Sequence, residues 1–450
     1  MKYGLIGEKL SHSFSVSIHN AFGNPDYVLH EIPRDELDEF MRKKDFLGIN
    51  VTIPYKQDVM KYCVLDEAAK EIGAVNTIVN RDGVLYGYNT DAFGLSAMMD
   101  YAICGNCAKR EECRNTESDF SGKNAVILGA GGTAKTARYV LGKKNIDSVT
   151  LLARDVEKAR ESFAGKDVSV ASIEGELPEN VKNAEIVVNT TPVGMYPKND
   201  GVPVSLDDFT NLECVFDVVY NPLTTLLVAE AEEKGISAAN GLYMLVMQAL
   251  MAERLFFPED NGLHKFGSHN YSLHNNEFGE AVYQNLRKKL TNIVLIGMPG
   301  SGKSTLGQIL SETLDREFAD TDTEFEEAFG TAPGAFIEAE GEEEFRKKET
   351  ETVRKIAARN SLIIATGGGI VTRPENIRAC KQNGILVYIK RDISNLSSDG
   401  RPLSKGDGAI EKLYEARKDL YEGAADYIVE ADEGDAENTA KVILKKLGFA

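Results

Sequence analysis

Short apolar runs rich in valine and isoleucine recur along this chain, and most stop at glycine, asparagine or aspartate. Ala125 to Leu128, Val149 to Ala153, Ile186 to Val188 and Ile293 to Ile296 are too short for helices and almost uniformly apolar. That pattern predicts strands buried on both faces of a parallel sheet. Residues 2–6, the stretch running into Pro54, Phe318–Ala319 and the residues before Thr366 predict further strands. Phe278, Val282, Leu286 and Leu290 fall four apart, which predicts an amphipathic helix over 276–290. Helices are also expected after Gly302, from about 241, and around Arg417. Strands alternating with helices make this an α/β chain.

At 450 residues the chain is too long for one core, so two or three domains are expected. Residues 258–275, rich in Gly, Asn and His, predict a linker; His264, His269 and His274 recur at a spacing that fits no single helix face and are expected in solvent. The expected division is a first domain over 1–100 completed by 241–257, a second over 101–240, a linker over 258–290 and a last domain over 291–450. Hydrophobic content of 42% and charged content of 27% are ordinary for globular protein, while a net charge of −19 argues against nucleic acid or anionic membrane as a partner. No run approaches a membrane span, Met1-Lys-Tyr-Gly-Leu-Ile-Gly predicts a first strand and not a leader, and the cytoplasm is expected. Six cysteines do not make a disulfide framework. Cys104, Cys107 and Cys113 sit in a charged, loop-like stretch with no fourth ligand near in sequence, so both a metal site and plain reduced thiols stay open.

Candidate chemistry concentrates where the apolar runs end. After Ile296 comes Gly297-Met-Pro-Gly-Ser-Gly-Lys-Ser-Thr, which fits the phosphate-loop pattern G-x-x-x-x-G-K-[ST]. Gly297, Gly300 and Gly302 free the backbone N–H groups to curl round a phosphate, with Thr305 at the start of the helix. Lys303 would reach the terminal phosphates, and Ser304 would offer its hydroxyl to Mg²⁺. After Leu128 comes Gly129-Ala-Gly-Gly-Thr, a dinucleotide-type turn that offers Gly129, Gly131, Gly132 and Thr133 to a pyrophosphate. The following strand ends at Arg154, with Lys158 one turn on, where a domain selective for NAD would place an acid. Two cations there suit a 2′-phosphate and hence NADP, although Asp155 beside them would weaken that preference. Ser13 and Ser15 precede a helix and could serve a polar ligand or cap the helix. Lys56, after Asn50-Val-Thr-Ile-Pro-Tyr, would ordinarily be a solvated charge.

Taken together, Ser13, Ser15, the Asn50–Lys56 segment, Gly73-Ala-Val-Asn-Thr, Asn89-Thr-Asp91, Asn189-Thr-Thr-Pro-Val-Gly-Met, Asp217-Val-Val-Tyr-Asn-Pro and Asn240-Gly-Leu-Tyr-Met-Leu-Val-Met-Gln resemble the shikimate dehydrogenase family over residues 1–257. Val16 stands where the family has proline. The resemblance implies an α/β substrate domain plus a Rossmann-like NADP domain. It implies Lys56 as proton donor with Asp91 orienting it, and Ser13, Ser15, Thr52, Asn76, Tyr220 and Gln248 around the ring hydroxyls and carboxylate. Behind the phosphate loop, Asp320-Thr-Asp322, Gly341-Glu-Glu-Glu-Phe-Arg346, Gly367-Gly368-Gly and Arg401-Pro-Leu resemble shikimate kinase over 291–450. That implies a P-loop domain with a parallel sheet, Lys303 and Arg401 on the transferring phosphoryl, and Ser304 and Asp320 toward Mg²⁺. Asp322 would take the attacking hydroxyl, and Arg346, Gly368 and Arg417 would hold the substrate. The lid before Arg401 (Asn395 to Gly400) is short and lacks the second arginine that the family often has for the nucleotide base.

The expected function is therefore a bifunctional enzyme: NADPH-dependent reduction of 3-dehydroshikimate to shikimate, then ATP- and Mg²⁺-dependent phosphorylation of shikimate, with these small molecules as its partners and its oligomeric state open. Quinate with NAD in the first half is a narrower alternative. An inactive metabolite sensor on the same folds is another, against which the retention of Lys56, Asp91, Lys303 and Asp322 speaks.

Overall fold

The computed structural model of the chain describes residues 1–10, 13–105, 118–258, 264–266, 269–271, 276–393, 396, 409–431 and 435–449. It divides into two units: Met1–Asn221 with Thr225–Arg287, and Pro222–Thr224 with Lys288–Ala450. Among the described residues, no helix is long and apolar enough to cross a membrane.

The first unit holds two six-stranded sheets. One is built from β1 (Tyr3–Gly7), β2 (Tyr27–Glu31), β3 (Gly48–Val51), β4 (Val64–Leu65), β5 (Thr77–Arg81) and β6 (Val84–Tyr88), in the order β2-β1-β3-β5-β6-β4. β1 runs parallel to β2 and β3, whereas β5 runs antiparallel to both β3 and β6. Asp82 and Gly83 join β5 to β6 with φ of 51° and 84°, the left-handed pair that a two-residue hairpin needs and that Asp-Gly supplies. Register then decides what meets: Asn50 lies opposite Thr77, and Thr77 opposite Tyr88. The end of β3, the start of β5 and the end of β6 therefore converge, and so do three motifs far apart in sequence.

The other sheet comprises β7 (Asn124–Leu128), β8 (Ser148–Ala153), β9 (Ser169–Ser172), β10 (Ile186–Asn189), β11 (Cys214–Asp217) and β12 (Ser237–Asn240). All strands are parallel, in the order β12-β11-β10-β7-β8-β9. The chain leaves β7 in one direction and returns through β10 in the other, so a crevice opens between them at their carboxyl ends. The helix Gly241–Phe256 packs back on the helix Thr90–Gly105. They cross at Gly94, where a Cβ would lie 2.5 Å from the Met244 carbonyl oxygen.

The expected linker is only partly one. β13 (His264–Phe266) and β14 (His269–Tyr271) form a two-stranded antiparallel ribbon, and the helix Asn276–Leu290 belongs to the first unit through Arg287. Phe278 and Val282 are buried, Phe278 meets Phe22 edge-on at 5.3 Å, and a Cβ on Gly279 would lie 2.5 Å from Met247 Sδ.

The second unit is a parallel sheet of β15 (Asn292–Ile296), β16 (Phe318–Asp320), β17 (Ile363–Ala365), β18 (Gly384–Lys390) and β19 (Tyr427–Glu430), in the order β16-β17-β15-β18-β19. β15 is buried throughout and delivers the phosphate loop to the helix Lys303–Leu314.

Candidate active sites

In the first unit Lys56 Nζ donates to Asp91 Oδ2 at 2.6 Å, both side chains being partly exposed. Asp91 is held from behind: Asn76 Nδ2 donates to Asp91 Oδ1 at 2.9 Å and to Thr90 Oγ1 at 3.0 Å, and Asn76 Oδ1 accepts from the Thr90 N–H at 2.7 Å. Thr90 Oγ1 also reaches Gln248 Oε1 at 3.4 Å. Ser13 Oγ donates to Ser15 Oγ at 3.0 Å and accepts from the Ser15 N–H at 3.2 Å, so Ser13 also serves the start of the helix Ser15–Ala21, whose N-cap residue Phe14 makes no side-chain cap. Phe14 between them meets Tyr220 at 5.9 Å, edge to face. Thr52 packs its methyl against Gly7, where a Cβ would lie 2.7 Å away.

Beneath this cluster runs a buried polar network. Tyr27 Oη donates to Asn50 Oδ1 at 2.7 Å, Asn50 Nδ2 donates to Thr77 Oγ1 at 2.9 Å, and the Thr77 and Thr90 hydroxyls meet at 3.0 Å. Burial and the nearby Glu253 carboxylate hold the Tyr27 hydroxyl well above the ordinary tyrosine range. The His19 ring stacks on Tyr27 at 3.6 Å and bonds through Nδ1 to Glu253, which also accepts from Asn24 Nδ2 at 3.0 Å.

Between β7 and β10, Gly129 has φ of 97°, and a Cβ there would lie 3.0 Å from Thr191 Cγ2, so the turn and the Asn189-Thr-Thr loop are pressed together. Asn189 Nδ2 donates to Asp217 Oδ1 at 2.9 Å, and Asn189 Oδ1 accepts from the Thr191 hydroxyl at 2.7 Å. A Cβ on Gly131 or Gly132 would meet nothing within 4 Å, which leaves an open cradle over the start of the helix Gly132–Lys143, with Thr133 in its first turn. Arg154, just past the end of β8, and Lys158, in the first turn of the helix that follows, are exposed. Asp155 caps the helix Val156–Ser162, its Oδ1 accepting from the Lys158 N–H at 3.0 Å. The residues fit a phosphorylated dinucleotide.

In the second unit Lys303 Nζ donates to the Gly297 and Met298 carbonyls at 2.9 Å each. Gly300 and Gly302 take φ of 82° and 91°, and Thr305 lies in the first turn of the helix that follows. Ser304 Oγ donates to Asp320 Oδ2 at 2.6 Å, a hydroxyl–carboxylate pair suited to a hard cation. Asp320 Oδ1 in turn accepts from the Asp322 N–H at 3.0 Å, and Asp322 lies against Gly367, where a Cβ would be 2.8 Å from its Oδ1. Arg346 is buried and paired with Glu349 at 2.9 Å and Glu342 at 3.1 Å. Burial pushes the Glu349 carboxyl up, and Asp322 adds to this, against the pull of Arg346 and Arg417. Arg417 Nη1 donates to the Gly368 carbonyl at 3.1 Å. A Cβ on Gly369 would fall 2.1 Å from Arg346 Nη1, so the guanidinium lies directly against the glycine loop.

Known proteins repeat this plan. A family model for the shikimate dehydrogenase substrate binding domain matches residues 5–78, one for shikimate / quinate 5-dehydrogenase matches 111–195, and one for shikimate kinase matches 299–448. The shikimate dehydrogenase (NADP⁺) of Clostridium beijerinckii is 37% identical over 285 residues, which span 61% of this chain and 98% of that one. The chain belongs to the shikimate dehydrogenase family, with a shikimate kinase domain behind it. The Pyrococcus furiosus shikimate dehydrogenase (NADP⁺) is 40% identical over 57% of this chain and 90% of its own. The solved chorismate mutase/shikimate 5-dehydrogenase fusion from Clostridium acetobutylicum superposes with a TM-score of 0.52 at 30% identity, covering 64% of this chain and 97% of that one.

In the dehydrogenase, register and helix crossing bring Lys56, Asp91, Asn76 and Gln248 together, and separately Ser13, Ser15 and Tyr220. In the kinase, Asp322, Arg346, Gly368 and Arg417 gather round the triple-glycine loop. Arg401 lies outside the described residues, as do Cys107, Cys113 and the side chain of Cys104. Sequence reasoning missed Glu349, although its place three residues after Arg346 on a helix puts it within reach of that guanidinium. It also missed His19 and Glu253, 234 residues apart, for which no sequence spacing could have served.

Proposed function

We propose that Lys56 is the proton donor of a dehydrogenase that reduces 3-dehydroshikimate to shikimate, and that the kinase unit phosphorylates the product with ATP. The Lys56–Asp91 pair, braced by Asn76, carries the first reading. Bound NADPH supplies the reducing equivalent. Lys56 Nζ hands a proton to the carbonyl oxygen as charge grows there, and Asp91 fixes the ammonium's direction. Ser13, Ser15, Thr52, Tyr220 and Gln248 hold the carboxylate and ring hydroxyls; Asn76 adds its amide while keeping Asp91 in place. Gly129, Gly131, Gly132 and Thr133 receive the pyrophosphate, and Arg154 and Lys158 the 2′-phosphate.

In the kinase unit positioning and charge neutralisation do most of the work. Lys303 and Arg401 stabilise the transferring phosphoryl, and Gly297, Gly300, Gly302 and Thr305 seat the phosphate chain. Ser304 and Asp320 hold Mg²⁺, which supplies further neutralisation. Asp322 accepts the proton of the attacking hydroxyl, while Arg346 and Arg417, with Gly368, clamp the substrate. Both reactions are assigned to the cytoplasm.

Replacing Lys56 by Ala is expected to lower dehydrogenase kcat by roughly 100-fold or more, the scale of one lost acid–base group, with kinase turnover unchanged. Near-wild-type reduction by that variant would remove Lys56 from its role. The same assay run with quinate, and with NADH beside NADPH, separates the narrower alternative.

A further inference from the structure

We infer that Arg391 is a nucleotide-binding residue of the kinase unit, its guanidinium serving as a second cation for the phosphate chain beside Lys303. This rests on the reading of the phosphate loop as the ATP site. Arg391 directly follows β18, whose end is pressed against that loop: a Cβ on Gly297 would lie 2.7 Å from the Ile389 carbonyl oxygen. Arg391 Nη1 stands 3.9 Å from where a Cβ on Gly302 would be, at the residue just before Lys303. Its Nε is buried and has no hydrogen-bond partner, a cost that folded proteins seldom carry without a ligand to answer the donor. The preceding cation is differently placed, since Lys390 is neutralised by Glu422 at 3.1 Å.

Sequence adds the reason such a residue is needed. Between Arg391 and Arg401 the chain offers no other cation, and the short lid lacks the base-side arginine expected of the family. An arginine at a strand end presents a planar fork of donors to phosphate oxygens. Among the described residues, no ion pair or hydrogen bond of Arg391 would have to break first.

The test uses the full chain carrying Arg391→Ala, Arg391→Lys or Lys303→Ala, with kinase KM measured for both substrates and calorimetry of ADP and of inorganic tripolyphosphate, each with Mg²⁺. Arg391→Ala should raise the KM for ATP roughly 10- to 100-fold, the scale of one charge-assisted contact, leave the KM for shikimate within about twofold, and weaken ADP and tripolyphosphate alike. Arg391→Lys should recover part of the loss. An unchanged KM for ATP overturns the inference, as does an equal rise for shikimate, which would mark a structural residue. Weakened ADP with unchanged tripolyphosphate would move the arginine to the base and overturn the phosphate assignment. Lys303→Ala separates the two levels: if it binds tripolyphosphate normally, the ATP-site reading itself fails, whereas loss there with a neutral Arg391→Ala sinks the inference alone.

Discussion

Asp217 shows how one residue can couple the dehydrogenase to pH without touching substrate. Its fully buried carboxylate accepts from Thr225 Oγ1 at 2.7 Å, the Val219 N–H at 3.0 Å and Asn189 Nδ2 at 2.9 Å. Burial outweighs these three donors and pushes the carboxyl from 3.8 up to about 6. An acid raised in the folded state contributes stability that is fully present below about pH 3.8 and lost as pH rises through about 6. From pH 4 to 7 the wild-type protein should therefore lose stability relative to Asp217→Asn, on the order of 3 kcal/mol for a rise of about two pH units. Thermal unfolding of both proteins across that range measures the difference, and parallel curves would show that the carboxylate does not titrate there. The Asp217-Val-Val-Tyr-Asn-Pro segment was legible in sequence as a family motif. Its role as the anchor of Asn189 was not, because that contact exists only once β10 and β11 pair.

At the scale of elements, the dehydrogenase site depends on the helix Gly241–Phe256 reaching back to the first domain. Gly94 lets the backbones meet, Gln248 then faces Thr90, and Glu253 reaches His19 and Asn24. Ser15 and His19 are four apart on one short helix, so the buried Glu253–His19 pair also ties down the element that carries Ser15. Glu253→Leu leaves a buried histidine and asparagine without their acceptor and should cost about 1–3 kcal/mol for each. The double variant His19→Phe with Glu253→Leu should regain the histidine's share of that loss, since an apolar pair needs no desolvated partner, while Asn24 still lacks its acceptor. Calorimetric unfolding of the three proteins decides it, and a double variant no more stable than the single one would mean the pair is not what holds the helices. The strands read from the sequence were placed to within about a residue, because burial on both faces leaves a dense apolar signature, while β2, β9, β18 and β19 were not read at all. Helix crossings were not, since a small residue such as Gly94 looks the same in sequence whatever it packs against.

For the whole molecule, the packing of the helix Asn276–Leu290 moves the natural cut between the units. Phe278, Val282 and Tyr283 are buried in the first unit. At about 1.5–3 kcal/mol for each large apolar side chain, their loss should destabilise residues 1–257 by several kcal/mol relative to residues 1–287. Expressed side by side, the longer piece should keep its dehydrogenase melting transition and the shorter one should melt far lower or fail to fold. Equal transitions would return this helix to the linker.

Chemistry that depends on backbone conformation or on contiguous residues was written in the sequence. The phosphate loop, the dinucleotide turn and the Asp-Gly hairpin work through glycine dihedrals and adjacent N–H groups, which a local pattern specifies fully. The amphipathic spacing of 276–290 likewise predicted the helix, but not the surface that covers its apolar face. Tertiary structure alone decided which distant groups became neighbours: Asp91 braced by Asn76 through strand register, Glu349 buried against the glycine loop, and Arg391 set beside Gly302 by the end of β18. A side chain's chemistry sets which charges it can carry; its partners, and so its work, are fixed by the packing that brings them within about 3 Å.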